Sequence, residues 1–164
     1  MTTPDIYDFR PVTLDDLGLL RGWLCQPHVR DWWDAGAPYD QEKLNDPRVS
    51  RWIVSAQGRP FAFMQDYTVH GWGDHHFAAL PTGSRGIDQY IADPAMIGIG
   101  HGSAFIAARM KTLFDAGAPV IATDPHPENA RAIAVYKKLG FEPFGAPQDT
   151  PWGVILPMWA RREV

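Results

Sequence analysis

Ile97-Gly98-Ile99-Gly100-His101-Gly102-Ser103 is the stretch of sequence that decides the fold. Its three alternating glycines stand between a predicted strand that ends near Asp93-Pro94 and a predicted helix whose apolar face includes Phe105 and Ile106. Glycines at such a connection let the backbone turn tightly and aim N–H groups outward, as in loops that bind anions. The spacing fits neither the P-loop nor the dinucleotide fingerprint. The stretch indicates a phosphate-binding loop, with a flexible strand-to-helix connection as the alternative.

The segments on both sides of this loop predict a mixed α/β domain. Alternating or continuous apolar runs predict strands at 6–10, 51–56, 61–67, 87–91, 119–124, 141–144 and 154–158, the second and third forming a hairpin with Gly58 in its turn. Helical spacing predicts helices that begin near residues 13, 28, 102 and 127, the second of them running from His28 to Trp33. The resulting order is β-α-α-β-β-β-α-β-α-β-β, and the whole chain, 1–164, is expected to form a single domain.

Composition and charge exclude several classes of partner. The 164 residues carry a formal net charge of −4, which argues against a nucleic-acid backbone as a ligand. No apolar run is long enough to cross a membrane, and the one cysteine, Cys25, forms no internal disulfide, so we expect a cytoplasmic protein, monomeric or homodimeric. His70, Asp74, His75 and His76 match no zinc spacing, so no metal is expected.

The residues 97–103, Asn129, Tyr136 and Gly140-Phe141 resemble the GNAT superfamily of acyl-CoA-dependent N-acetyltransferases. The resemblance implies the GNAT fold, a mixed, mostly antiparallel central sheet with helices on both faces, and acetyl-CoA as co-substrate. It also implies which residues bind the cofactor: Gly98, Ile99, Gly100, His101, Gly102 and Ser103 around the pyrophosphate, and Asn129 and Tyr136 along the pantetheine arm and thiol. The first loop position is usually Gln or Arg in that superfamily and is Ile97 here, so phosphate binding would rest on backbone amides.

A closer resemblance, to the aminoglycoside 6′-N-acetyltransferases, runs from about Arg85 to Phe141. The matching segments are Arg85-Gly86-Ile87-Asp88-Gln89, Thr123-Asp124-Pro125, Arg131-Ala132-Ile133 and Tyr136-Lys137-Lys138-Leu139-Gly140-Phe141. The resemblance implies a primary amine of a small cationic acceptor as substrate, with Asp74, Asp88 and Asp124 among the acceptor contacts. Trp32-Trp33 falls where that family carries a tryptophan pair and could line the acceptor pocket, although two tryptophans on a short helix more often pack in the core or at its rim.

Two residues are candidates for proton transfer. An amine at neutral pH is mostly ammonium, so a carboxylate must help to remove a proton before the nitrogen attacks a thioester. Asp88 is our candidate base and Tyr136 our candidate acid for the departing thiolate, as the resemblance also implies. A solvated strand aspartate and a packed core tyrosine are the corresponding structural alternatives.

The acceptor remains open at this point. The same segments are shared by acyltransferases that modify lysine-derived siderophore precursors, and acetylation of protein amino termini is a third possibility. A non-catalytic CoA-binding sensor is the alternative from outside the enzymes, although a sensor would not need both Asp88 and Tyr136.

Overall fold

The computed structural model of the chain describes residues 6–33 and 39–162. These residues form nine strands and five α-helices, with two short 3₁₀ turns at Leu14–Asp16 and Pro94–Met96. The strands are β1 (Tyr7–Pro11), β2 (Val49–Ala56), β3 (Arg59–Thr68), β4 (Arg85–Ile91), β5 (Val120–Thr123), β6 (Glu142–Pro143), β7 (Gln148–Thr150), β8 (Gly153–Ile155) and β9 (Met158–Arg161). The helices are α1 (Leu17–Leu24), α2 (Pro27–Arg30), α3 (Gln41–Leu44), α4 (His101–Asp115) and α5 (Ala130–Lys138).

The strands form a seven-stranded sheet in the order β1-β2-β3-β4-β5-β9-β6, and β7 and β8 form a separate hairpin. β1 pairs with β2, β5 with β9 and β6 with β9 in antiparallel fashion, whereas β4 and β5 are parallel. The prediction of a mixed, mostly antiparallel sheet is therefore confirmed. Along the described ranges, no helix combines the length and the apolar character that crossing a bilayer requires.

The chain divides into two compact units, and the first contains the described residues up to Gln65 together with Gln89–Ile99. Its core is built on Val12, Leu20, Ile53 and Phe63, against which partly buried side chains pack: Trp23, Trp33, Tyr39, Leu44 and Tyr90. The β2–β3 turn has positive φ at both Gln57 and Gly58, the conformation that a two-residue hairpin favours. The hairpin predicted around Gly58 is thus confirmed.

Helix boundaries in the first unit differ from the prediction in two places. α2 ends at Arg30, whereas the prediction continued the helix to Trp33, and the residues after it form a turn. α3 was not predicted, because one turn of helix is too short to show a period. Asp40 caps α3 by accepting the Lys43 N–H at 2.8 Å.

The second unit contains Asp66–Asp88 and the described residues from Gly100 onward. All four residues of β5 are buried, as its continuous apolar sequence predicts. Asp66 is 1% exposed and binds two arginines, Arg85 at 2.6 Å and Arg109 at 2.8 Å. These two charge-assisted bonds satisfy a carboxylate that would otherwise be costly to bury.

The prediction of one closing strand at 154–158 is wrong. Two strands, β8 and β9, occupy this region, and they belong to different sheets. The break falls at Leu156-Pro157, where the Leu156 N–H donates to Pro125 O at 2.8 Å and the proline has no N–H to give to a ladder. An apolar run gave no sign of this break, because both strands are apolar.

Candidate active site

Asp88 and Asp124 lie side by side because of the register of two parallel strands in the second unit. Gly86 in β4 pairs with Ala122 in β5, and side chains two residues further along a strand point to the same face. The buried Thr123 hydroxyl donates to Ile87 O at 3.2 Å and holds the strands together beyond the last paired residues. The two carboxyl groups thus meet just beyond the last paired residues of β4 and β5, and a side-chain hydrogen bond joins Asp124 to Asp88.

Tyr67 covers the same face of these strands. Gly86 leaves room for its ring, because a β-carbon at that position would overlap the Tyr67 side chain. Tyr67 is buried, and burial raises the pKa of its phenol well above 10, with smaller contributions from Asp88, Asp124 and Tyr136. The phenol therefore stays protonated and supplies an O–H next to the carboxylates.

His76 is the fourth polar group of this cluster, and sequence reasoning missed it. Its side chain is 5% exposed, and Nε2–H donates to Asp124 Oδ2 at 2.8 Å. Its ring stacks on His75 at 4.2 Å between centroids and lies 4.3 Å from Phe77. The sequence shows His76 in a glycine-rich segment without a period, so nothing in it indicated a partner 48 residues away.

The pKa values in the cluster favour uncharged imidazoles and a carboxyl pair that releases a proton near pH 6. Burial raises the pKa of Asp124 to about 6, although its hydrogen bond with Asp88 acts in the opposite direction. Burial lowers the pKa of His76, and only part of this is offset by the charge of Asp88. His75 has a pKa of about 4 because of burial and of the neighbouring His76. A carboxyl group that titrates near neutrality suits proton transfer.

Tyr136 lies within α5 and Asn129 lies immediately before its first residue, and the two side chains differ in environment. Tyr136 is buried within the helix and packs on Phe141 at 5.4 Å between ring centroids. Asn129 is the N-cap of α5, which begins at Ala130 and not near residue 127 as predicted, and its side chain accepts the Ala132 N–H at 3.2 Å. Asn129 therefore already has a capping role.

The glycine loop takes the backbone form that the sequence predicts. Gly98 and Gly100 have φ values of 77° and 98°, which residues with a β-carbon rarely adopt. Gly100 is the N-cap of the 15-residue helix α4 and has no side chain to satisfy the N–H groups of the first turn. The positive end of the helix dipole and these N–H groups together favour an anion.

Three of the predicted acceptor residues are not part of this cluster. Asp74 is exposed in the segment that follows Gly73. Trp33 packs in the core of the first unit, at 4.9 Å from Tyr90 and 5.6 Å from Phe63 between ring centroids. Trp32, next to it, is 49% exposed. Nor do the residues that the structure describes hold three or more His, Cys, Asp or Glu side chains in an arrangement fit for a metal ion.

The glycine loop, α4 and the carboxyl pair all lie within the segment that one family profile recognises. The profile, described as an acetyltransferase (GNAT) domain, matches residues 13–148. The chain belongs to the GNAT acetyltransferase family. The resemblance that rested on the glycine loop and on the residues around Tyr136 is thereby confirmed.

Curated relatives of this GNAT protein include two with a stated role in aminoglycoside chemistry. An aminoglycoside N(6′)-acetyltransferase type 1 from Klebsiella pneumoniae is 33% identical over 171 residues, which cover 97% of this chain and 85% of the relative. A kanamycin resistance protein from Rhizobium radiobacter is 42% identical over 82 residues, which cover 49% of this chain and 75% of the relative.

Solved structures agree with the GNAT fold. The enzyme AAC(6′)-Ib in complex with coenzyme A and kanamycin matches with a TM-score of 0.83 at 33% identity, covering 95% of each chain. The same enzyme in complex with paromomycin and acetyl-CoA also matches with a TM-score of 0.83 at 33% identity, covering 96% of this chain and 94% of that one.

Proposed function

We propose that the protein transfers the acetyl group of acetyl-CoA to the 6′-amino group of an aminoglycoside. The observation that carries this proposal is the adjoining carboxyl pair, Asp88 and Asp124, two residues beyond the last pair of the β4–β5 ladder. Two neighbouring carboxyl groups attract an ammonium ion and can take its proton. Similarity over almost the whole chain to an aminoglycoside N(6′)-acetyltransferase supports the choice of acceptor.

The donor side of the site fits coenzyme A. The loop before α4 has no β-carbon at Gly98 or Gly100, so a diphosphate can approach the backbone closely, and the N-terminus of a helix attracts an anion. We assign the pyrophosphate to the backbone of residues 98–103. The preceding residue, Ile97, has no polar side chain that could add a contact. Bound acetyl-CoA supplies the acetyl thioester.

Asp88 acts as the base in this proposal. The acceptor nitrogen must lose one proton before its lone pair can attack the thioester carbonyl carbon. Asp88 takes that proton while both carboxyl groups are ionised, and its hydrogen bond with Asp124 then shares the proton between them. An N–C bond then forms as the C–S bond breaks.

Tyr136 acts as the acid. The departing sulfur carries a negative charge, and a phenol can donate a proton to it. The acceptor nitrogen loses a second proton as the amide forms, and this proton replaces the one that Tyr136 gave to the sulfur. The products are therefore the amide, the free thiol and one proton, which Asp88 releases to solvent. Burial of Tyr136 keeps water away from this step.

Acceptor specificity is the direct test of the proposal. The purified protein is incubated with acetyl-CoA and kanamycin, and in parallel with an aminoglycoside that carries a hydroxyl at the 6′ position. We expect thiol release and a singly acetylated product, with the acetyl group at N6′, for kanamycin alone. Equal acetylation of both compounds, or acetylation of a lysine-derived siderophore precursor but of no aminoglycoside, would contradict it.

A further inference from the structure

His76 hydrogen-bonds a carboxyl group of the proposed site without being one of its predicted residues. Its Nε2–H donates to Asp124 Oδ2 at 2.8 Å, and 5% of its side chain is exposed. The imidazole is held by rings around it: His75, Phe77 and Trp152, the last with its centroid 6.0 Å away. A buried imidazole fixed in this way has little freedom to turn from its partner.

Asp124 is thus held from two sides, by His76 and by Asp88. A hydrogen bond between two carboxyl groups needs one proton between them. The N–H of His76 favours the ionised form of Asp124, because a donor to a carboxylate stabilises its charge. The position of the shared proton therefore depends on this donor.

We propose that His76 is a positioning residue that holds the Asp124 carboxylate beside Asp88, so that the two carboxyl groups act as one acceptor for the ammonium proton. This role rests on the proposed acetyl transfer. The other titratable groups near the pair are Tyr67 on β3, whose pKa is raised by burial, His75 on the loop, whose pKa is lowered to about 4, and Tyr136 on α5, which interacts with Tyr67.

The direction of the expected change in the pKa of Asp124 follows from the loss of the His76 N–H. Without the N–H of His76, the ionised form of Asp124 loses stabilisation, so the pair should keep its proton to a higher pH. Because Asp124 has a pKa of about 6, this shift moves the deprotonated pair away from neutrality and should lower kcat/KM most on the acidic side.

Two substitutions and one control test this. His76→Phe keeps a ring but removes the donor, whereas His76→Gln places an amide N–H near the position of Nε2. His70→Gln is the control, because Gln Nε2 can replace His70 Nε2, which donates to Leu80 O. Carboxyl ¹³C resonances of labelled aspartate, assigned with Asp124→Asn, report the titration in the free protein, and kcat/KM for kanamycin is measured over the same pH range.

We expect His76→Phe to raise the midpoint of the Asp124 titration and the acidic limb of kcat/KM by about one pH unit. His76→Gln should return both values most of the way to those of the wild type, and His70→Gln should leave both unchanged. A His76→Phe protein that is folded and titrates as the wild type does, or a Gln variant that shifts as far as the Phe variant, overturns the proposal.

A measurement on the wild type covers the case in which His76→Phe fails to fold. The ¹⁵N spectrum of the imidazole should show a protonated Nε2 near neutral pH, and a bare Nε2 overturns the proposal. Both spectra use the free protein. A positive result without acetylation of any amine would therefore refute the proposed function and leave the hydrogen-bonding role of His76 in place.

Discussion

At the scale of single residues, Asp88 offers the sharpest test of the chemistry. Asp88→Asn keeps the size of the side chain but cannot accept a proton, so we expect kcat/KM for kanamycin to fall about 100-fold. The steady-state rate with acetyl-CoA, measured from about pH 6 to about pH 9, checks this. Asp115→Asn is the control, because Asp115 is 65% exposed and pairs with Lys111 at the surface. An Asp88→Asn protein within twofold of the wild type at every pH would remove Asp88 from its role.

Gly86 tests how closely Tyr67 approaches β4. A methyl group at position 86 would overlap the Tyr67 ring, so Gly86→Ala should lower the free energy of unfolding by about 1–3 kcal/mol. Gly18→Ala is the matched control. Gly18 lies within α1 with no atom near its added β-carbon, so alanine should stabilise that helix by about 0.5–1 kcal/mol. Urea-induced unfolding measures both, and equal stability of Gly86→Ala and wild type would refute the predicted overlap.

The residue types of the site were readable from the sequence, but their partners were not. Asp88 lies within one predicted strand and Asp124 ends another, so their placement on the sheet could be foreseen. The bond of His76 to Asp124 and the ring of Tyr67 under Gly86 depend on how distant segments pack. Such packing between distant segments cannot be read from the local spacing of apolar residues.

At the scale of elements, the glycine loop and α4 carry the proposed cofactor site. Gly100 has a φ of 98° and lies at the start of α4, while Gly117 has a φ of 106° and follows its end. An alanine at either position should cost about 1 kcal/mol of backbone strain. Only Gly100→Ala is expected to weaken coenzyme A binding, by several-fold in calorimetry, because the loop amides then change direction. Equal weakening by Gly117→Ala would indicate that binding does not depend on the loop.

Long helices and strands were predicted from the sequence more accurately than short ones. α4, with 15 residues and one apolar face, and the fully buried β5 were both predicted. The four-residue helix α3 and the division of 154–158 into β8 and β9 were not. A single turn or a three-residue strand contains too few residues for a period, so tertiary hydrogen bonds decide its form.

At the scale of the whole molecule, Asp124 should make folding stability depend on pH. Its pKa is about 6 in the folded chain and 3.8 as the reference value, so the unfolded chain loses this proton first as the pH rises. The contribution of Asp124 to stability is therefore complete below about pH 4 and is lost through about pH 6, by on the order of 2–3 kcal/mol.

Asp124→Asn isolates this contribution. The variant should lose less stability than the wild type between about pH 4 and about pH 7, because asparagine does not titrate. Urea unfolding at both ends of this range gives the difference for each protein. Parallel pH dependence of the wild type and the variant would show that the carboxyl group titrates normally in the folded chain.

The alignment of β4 with β5 also limits which changes of chain length the site can tolerate. One residue inserted between Gly86 and Asp88 would reverse the direction of the Asp88 side chain, since side chains alternate along a strand. Two inserted residues would restore the direction but move the carboxyl group by about 7 Å. Insertions and deletions in this segment are therefore expected to abolish activity even where substitutions of its apolar residues are accepted.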